Sequence, residues 1–283
     1  MSKHRQRSNN WPMPLLVVGV LGLGLPLLTC WQSSPVDAQQ TAGSPDGKPG
    51  APTATPLDRA LQLVYEARKA YAEVRDYECT LVKQERVHGS LTPQDIILMK
   101  FRQRPFSVNM QWLSPRETAG QEVSFIYGQN GNQMRVRFPR GLKKALLNYV
   151  NVDPFDRRVM ERSRHNIYEA GIGNLIEQTI KSMEMEKRLN KTNVSIEEYS
   201  YNERPCWRVE STRTERTQTP EGRDVYYSYR SVHYLDKERK LPLRTENYDW
   251  PYQGGSPGGE LLEVFSFVDL HVNVGLTDAH FAR

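Results

Sequence analysis

The sequence predicts a mainly β (α+β) fold: a strongly curved antiparallel sheet, or incomplete barrel, of about ten strands, with helices covering its concave side. Three observations predict it. Phe106, Val108, Met110 and Trp112 alternate with Ser107, Asn109 and Gln111 between Pro105 and Pro115. Side chains on a strand switch faces at every residue, so this stretch is a strand with one large apolar face and one small polar face, the latter expected outward. Extended runs of this kind recur on both sides of an irregular middle. Only two segments carry helical spacing, enough to plug one side of a curled sheet.

The first helix is expected from about Leu57 to Val74. Thr55 and Asp58 make a capping-box start, and Pro56 takes the first helical position. Strands follow over Tyr77–Val87, Ile96–Gln103, Phe106–Trp112, Gln121–Tyr127 and Met134–Phe138. The last two are joined by Gly128-Gln129-Asn130-Gly131-Asn132, residues that accept positive φ and so favour a hairpin. Residues 142–190 form a helical insert, irregular to Ile172 and then a helix over Gly173–Leu189. A second run of strands covers Val194–Tyr201, Cys206–Thr217, Asp224–Leu235, Leu243–Trp250 and Leu261–Val272, with turn signals between them. Tyr226, Tyr227, Tyr229 and Tyr234 crowd one of these strands, either as good strand formers or as one face of a ligand or partner surface.

The N-terminus reads as an export signal over residues 1–38. Lys3, Arg5 and Arg7 precede an apolar run over Leu15–Leu28. That run is short of the ~20 residues a spanning helix needs. Val36-Asp37-Ala38 suits cleavage before Gln39. Lipidation of Cys30 after Leu27-Leu28-Thr29 is the alternative. Residues 39–55 are Pro, Gly, Ala, Ser and Thr-rich, the composition of a flexible linker. Residues 56–283 then fit a single domain. The expected location is periplasmic or elsewhere in the cell envelope.

Net charge is +5 over the full chain, too mild and too dispersed for a nucleic-acid footprint. It allows weak contact with an anionic membrane surface, and a solvated surface is the plainer reading. Cys79 and Cys206 remain after signal removal. An even count in an exported chain favours a disulfide between them; two separate buried thiols are the other reading.

Catalytic signatures are missing from the sequence. His165 could pair with Glu169 or Asp156 as base and orienter, but the spacing fits a satisfied histidine equally. The chain has no His-Glu-x-x-His, no Cys-x-x-Cys and no Gly-x-Ser-x-Gly, so neither a metal nor another cofactor is expected. Gly171-x-Gly173 opens a helix without a strand before it, a poor nucleotide loop.

Three stretches carry a resemblance to an exported bacterial family, domain of unknown function 1571. They are Tyr77-Glu78-Cys79-Thr80 with Glu85-Arg86; Ser163-Arg164-His165 with Gly171–Glu177; and Leu241–Arg244 with Tyr248-Asp249-Trp250 and Asn273–Thr277. The order Arg104-Pro105, alternating strand, Pro115, then a hairpin near Gly128 also resembles LolA-like lipoprotein carriers. That resemblance implies a curved, incomplete barrel with an apolar hollow for acyl chains, lidded by helices. It also implies that Arg104 helps keep the lid closed. The long insert and the cysteine pair depart from the carrier pattern. The expectation is an exported, non-catalytic domain that binds a lipid, a lipoprotein acyl chain or another amphipathic ligand through Phe106, Val108, Met110, Trp112 and Arg104. The alternatives are an envelope sensor or scaffold for an unidentified protein partner, with the hollow filled by its own helices, and an envelope hydrolase.

Overall fold

The structure, a computed structural model, describes residues 54–139 and 149–282. The signal segment, nearly all of the linker and the start of the insert lie outside the described residues. Among the described residues twelve strands form one sheet: β1 (Asp76–Val87), β2 (Ser90–Leu91), β3 (Asp95–Arg102), β4 (Ser107–Ser114), β5 (Glu122–Ile126), β6 (Met134–Arg137), β7 (Val150–Val152), β8 (Thr192–Tyr201), β9 (Arg204–Arg213), β10 (Arg230–Asp236), β11 (Pro242–Tyr248) and β12 (Leu261–Val272). Helices are α1 (Pro56–Tyr71), a single turn α2 (Arg157–Met160) and α3 (Ile172–Leu189).

The strand order is β7-β6-β5-β4-β3-β1-β12-β11-β10-β9-β8, with β2 beside β1. Each half of the chain is therefore a meander. The two are joined where β12 returns antiparallel to β1, with Leu81 opposite Phe267. The sheet is open, because β7 and β8 end it without pairing to each other. It holds twelve strands rather than about ten. The extra ones are β2 and β7, two and three residues long.

Register decides the core. Tyr77, Cys79 and Leu81 stand opposite Phe101, Met99 and Ile97, which stand opposite Val108, Met110 and Trp112. Ala60, Leu61, Val64 and Ala67 of α1 and Ile172, Ile176, Ile180 and Met183 of α3 join these side chains in one buried cluster. Each large side chain buried there contributes roughly 1.5–3 kcal/mol. The capping box forms: the Asp58 amide donates to Thr55 Oγ1 at 3.1 Å and the Thr55 amide to the Asp58 carboxylate at 3.0 Å. Arg68 grips Glu177 through two bonds of 2.7 and 2.6 Å, and Lys187 reaches Asp58 at 2.6 Å. Those pairs run α1 and α3 antiparallel. Gly171 and Gly173 are packing residues rather than a phosphate loop. A Cβ there would lie 2.5 Å from the Phe101 ring and 2.3 Å from the Tyr71 ring.

Three expectations are corrected. The strand expected from Asp224 begins only at Arg230. Residues 214–229 double back through a turn bridged by Gln218 and Asp224, so Tyr226, Tyr227 and Tyr229 lie on a connection. Ser107 and Asn109 are buried rather than turned to water. Near Ser107 the C-terminal segment lies against that side of the sheet. Ser124 Oγ donates to the Phe281 carbonyl, Arg102 pairs with Asp278 at 2.6 Å, and Phe281 packs with Ile126 and Leu276. Asn109 itself donates to Glu122 Oε1 at 3.0 Å.

Cys79 and Cys206 are free, buried thiols, not a disulfide. Cys79 belongs to the main core. Cys206, on β9, packs in a separate cluster with Val232, Tyr234 and Leu243. β12, β11 and β10 lie between their strands. Four strand spacings are roughly 19 Å along the sheet, against a limit of about 7 Å for a bridge. Burial pushes the Cys79 thiol up to about 12.

Candidate functional site

A cavity of about 1530 Å³ opens on the core face of the sheet. One part of its wall is apolar. Leu81 and Met99 meet Met110 and Trp112 from β4, Val123 from β5 and Met134 and Val136 from β6. They line it because strand parity turns every second residue inward, and cross-strand register stacks them into rows.

The other part is charged, and the same parity explains it. After Leu81, the next inward positions of β1 are Lys83 and Glu85. On β12, Phe267 and Phe265 are followed inward by Glu263. Glu85 and Glu263 stand opposite each other in the β1–β12 ladder and are buried. Lys83 Nζ donates to Glu85 Oε2 at 2.6 Å and lies 3.9 Å from Asp95. The segment entering α3 supplies the rest. Ser163 Oγ donates to Glu85, at 3.1 and 3.2 Å to its two oxygens, and the Arg164 amide donates to it at 3.0 Å. That anchorage places His165 between two carboxylates: Nδ1 is 2.7 Å from Glu169 Oε2 and Nε2 is 2.8 Å from Glu263 Oε2. Tyr227 donates its hydroxyl to Glu263 Oε2 at 2.7 Å, and Asn247 donates to Oε1 at 2.8 Å. Arg164 reaches the Tyr227 hydroxyl at 2.6 Å.

These contacts set the charges. Burial works against a charged His165, but hydrogen bonds to Glu263 and Glu169 and the charges of Glu263 and Glu85 outweigh it and hold the ring up at about 9. At neutral pH both ring nitrogens therefore donate. Burial pushes Glu263 up, yet bonds from His165, Tyr227 and Asn247 bring it below the ordinary carboxylate range. His233, also on the wall, is held down at about 4 by burial and by Arg213, so it is neutral. The ligand atoms of Glu85, His165 and Glu263 lie within 4.8 Å of one another, a constellation able to hold a metal ion. Among the described residues the His165 ring is hydrogen-bonded to Glu169 and Glu263 and to no Ser, Thr or Cys side chain, the arrangement of an ion-pair cluster.

The residues singled out from sequence divide. Met110 and Trp112 line the cavity. Val108 is fully buried in the main core, and Phe106 packs edge-on against Phe101 and Phe125. Arg104 is exposed between β3 and β4, where among the described residues no hydrogen bond or ion pair holds it. His165 does meet Glu169, and not Asp156, which caps α2 instead. Sequence reasoning passed over Lys83, Glu85 and Glu263, though charged residues at inward parity were a visible sign. It also missed Asn247, which carries no sign at all, and singled out Tyr227 only within the tyrosine-rich run, not as a partner of Glu263.

The model of a protein family of unknown function, DUF1571, matches residues 74–283. The chain belongs to that family. Two of the stretches named above, Glu85-Arg86 and Ser163-Arg164-His165, meet in the charged cluster. No curated protein matches the chain. Among solved structures, lipoprotein LppX of Mycobacterium tuberculosis is 8% identical, with 78% of this chain and 98% of that one covered and a TM-score of 0.43. An uncharacterised conserved protein of Thermus thermophilus is 11% identical, with 80% and 93% covered and a TM-score of 0.42. A LolA superfamily protein of Nitrosomonas europaea is 10% identical, with 79% and 97% covered and a TM-score of 0.30. At such values these likenesses carry no argument about ligand or activity.

Proposed function

We propose that the protein is an exported, non-catalytic carrier or binding domain. It takes a lipid, a lipoprotein acyl chain or a similar amphipathic ligand into the hollow between the concave side of the sheet and helix α3. Residues 56–283 act as one domain. The observation that supports this reading is the cavity: about 1530 Å³, apolar along β3–β6 and charged around His165. Ordinary small-molecule pockets are roughly 300–1,000 Å³. A hollow with one greasy and one charged part suits a molecule with a chain and a headgroup.

The energetics are permissive. Sixteen methylenes removed from water are worth about 13 kcal/mol gross at ~0.8 each. After about 4–5 kcal/mol for lost freedom, roughly micromolar binding remains. The test is a titration with a fluorescent fatty acid, beside native mass spectrometry of protein taken from its own envelope. Wild type is expected to bind at micromolar concentration. Met110→Glu, which places a carboxylate in the apolar wall, is expected to abolish uptake. Met110→Trp narrows the hollow without charge and is expected to weaken it. If wild type binds no fatty acid and carries no lipid, this reading fails, and a scaffold for a protein partner replaces it.

A further inference from the structure

The charged cluster has a construction that an ion-pair network alone does not need. We propose that Glu85, His165 and Glu263 form a divalent-metal site, with zinc as the best-fitting ion. The proposal stands apart from the lipid reading and does not need it.

Three observations carry it. The first is the donor set. An imidazole nitrogen and two carboxylates, all mutually within 4.8 Å, supply three protein ligands of types zinc accepts, the number found in zinc sites that keep a further position open. At the usual zinc–ligand lengths of ~2.0–2.2 Å, tetrahedral donors stand about 3.3 Å apart. His165 Nε2 and Glu263 Oε2, now 2.8 Å apart, need to part by about half an ångström around an ion.

The second is the support behind the ligands. A metal-bound histidine ordinarily gives its other ring N–H to a carboxylate, which fixes the tautomer and the ring direction. His165 Nδ1 already makes that bond, to Glu169 Oε2 at 2.7 Å, leaving Nε2 to face Glu263. Glu263 is steadied on its other oxygen by Asn247 at 2.8 Å. Glu85 is fixed by Ser163 and by the Arg164 amide.

The third is charge. Four carboxylates gather here: Glu85, Glu169, Glu263 and Asp95. Against them stand Lys83, at 2.6 Å from Glu85, and Arg164, at 3.6 Å from Glu263. With His165 neutral, as a metal ligand is, two negative charges are left over, which a divalent cation neutralises. Burial makes that excess costly, since both Glu85 and Glu263 lie in the core of the sheet. The metal takes the place of the proton on Nε2, and that proton leaves to solvent.

The experiment is calorimetric titration of zinc chloride into the chelator-stripped, untagged exported chain at pH 7.5, repeated in competition with a zinc-binding dye. One zinc per chain at micromolar or tighter affinity is expected. His165→Ala and Glu263→Gln are expected to abolish binding. Glu169→Gln, which alters only the residue behind His165, is expected to weaken it 10–100-fold. Lys83→Met provides a sign that a merely structural cluster would not show. It removes the cation competing for Glu85, so zinc affinity is expected to rise about tenfold. Circular dichroism on each variant confirms that the fold survives. Wild-type binding weaker than about 100 μM, or zinc binding unchanged in both His165→Ala and Lys83→Met, overturns the proposal. Because the titration uses zinc without lipid, its outcome is separate from that of the fatty-acid experiment.

Discussion

Stability should fall as pH rises through the alkaline range, and His165 should be the cause. Its pKa is raised from the ordinary 6.5 to about 9 by Glu263 and Glu169 against the opposing effect of burial. A group whose folded pKa is raised adds stability that is complete below its unfolded value. That stability is lost as pH climbs through the folded value. The window is therefore pH 6.5 to about 9. A shift of that size corresponds to about 3 kcal/mol without solvent screening. The His165 side chain is 31% exposed, so screening reduces this to about 1–2 kcal/mol. For a domain of this size that is roughly 2–8 °C in Tm. The assay is urea unfolding of wild type and His165→Gln at half-unit steps from pH 6 to 10, with chelator present throughout. Wild type should lose about 1–2 kcal/mol more than the variant across the window, because the variant lacks the titrating ring. Parallel curves for the two proteins would refute the reasoning. On the acid side Glu263 acts in the opposite sense. Its lowered pKa gives stability that is present above the ordinary carboxylate value and disappears as pH falls below it.

Other outcomes follow from burial. Arg213 and Glu186 form an ion pair between β9 and α3 with side chains 2% and 1% exposed, so Arg213→Met should cost about 3–5 kcal/mol by stranding the carboxylate. The double variant Glu186→Leu/Arg213→Met should recover most of it in the same urea assay. Mass analysis of unreduced, denatured and alkylated protein should find Cys79 and Cys206 both modified, while the native protein resists alkylation because both thiols are buried. Val108→Ala should cost about 1–3 kcal/mol of stability yet leave fatty-acid uptake intact, since Val108 is fully buried and is not part of the cavity wall.

Much of the fold was legible because the relevant signals are local. Thr55, Pro56 and Asp58 announce α1 within four residues, and β12 runs from Leu261 to Val272 as its alternation indicates. Gly128, Asn130, Gly131 and Asn132 all take the positive φ expected of a tight connection. What failed was non-local or too short. Val150-Asn151-Val152 is three residues of strand inside an irregular segment, below the length at which alternation can be recognised. The stretch before Arg230 has strand composition, but Pro220 and Gly222 turn the chain back upon itself before the ladder resumes. Cysteine parity suggested a bridge, and only the strand order shows why geometry forbids it.

The candidate site divides the same way. Met110 and Trp112 of its apolar wall follow from the parity of β4 alone and so were visible. Its charged part is assembled from positions 85, 165 and 263, and no spacing rule links residues so far apart. Yet each strand carried its own anomaly. In β1 the inward series runs Tyr77, Cys79, Leu81, then Lys83 and Glu85; in β12 it runs Phe267, Phe265, then Glu263. A charge at an inward position costs several kcal/mol unless partners meet it. Two neighbouring strands that turn charged at the same level must therefore share those partners, or an ion. Arg164 supplies the shared partner, its amide donating to Glu85 and its guanidinium 3.6 Å from Glu263, and the carboxylates that outnumber Lys83 and Arg164 leave a place for a cation. An inward charge at the end of an otherwise apolar alternation thus marks where a sheet of this kind stops being core and begins to be a site.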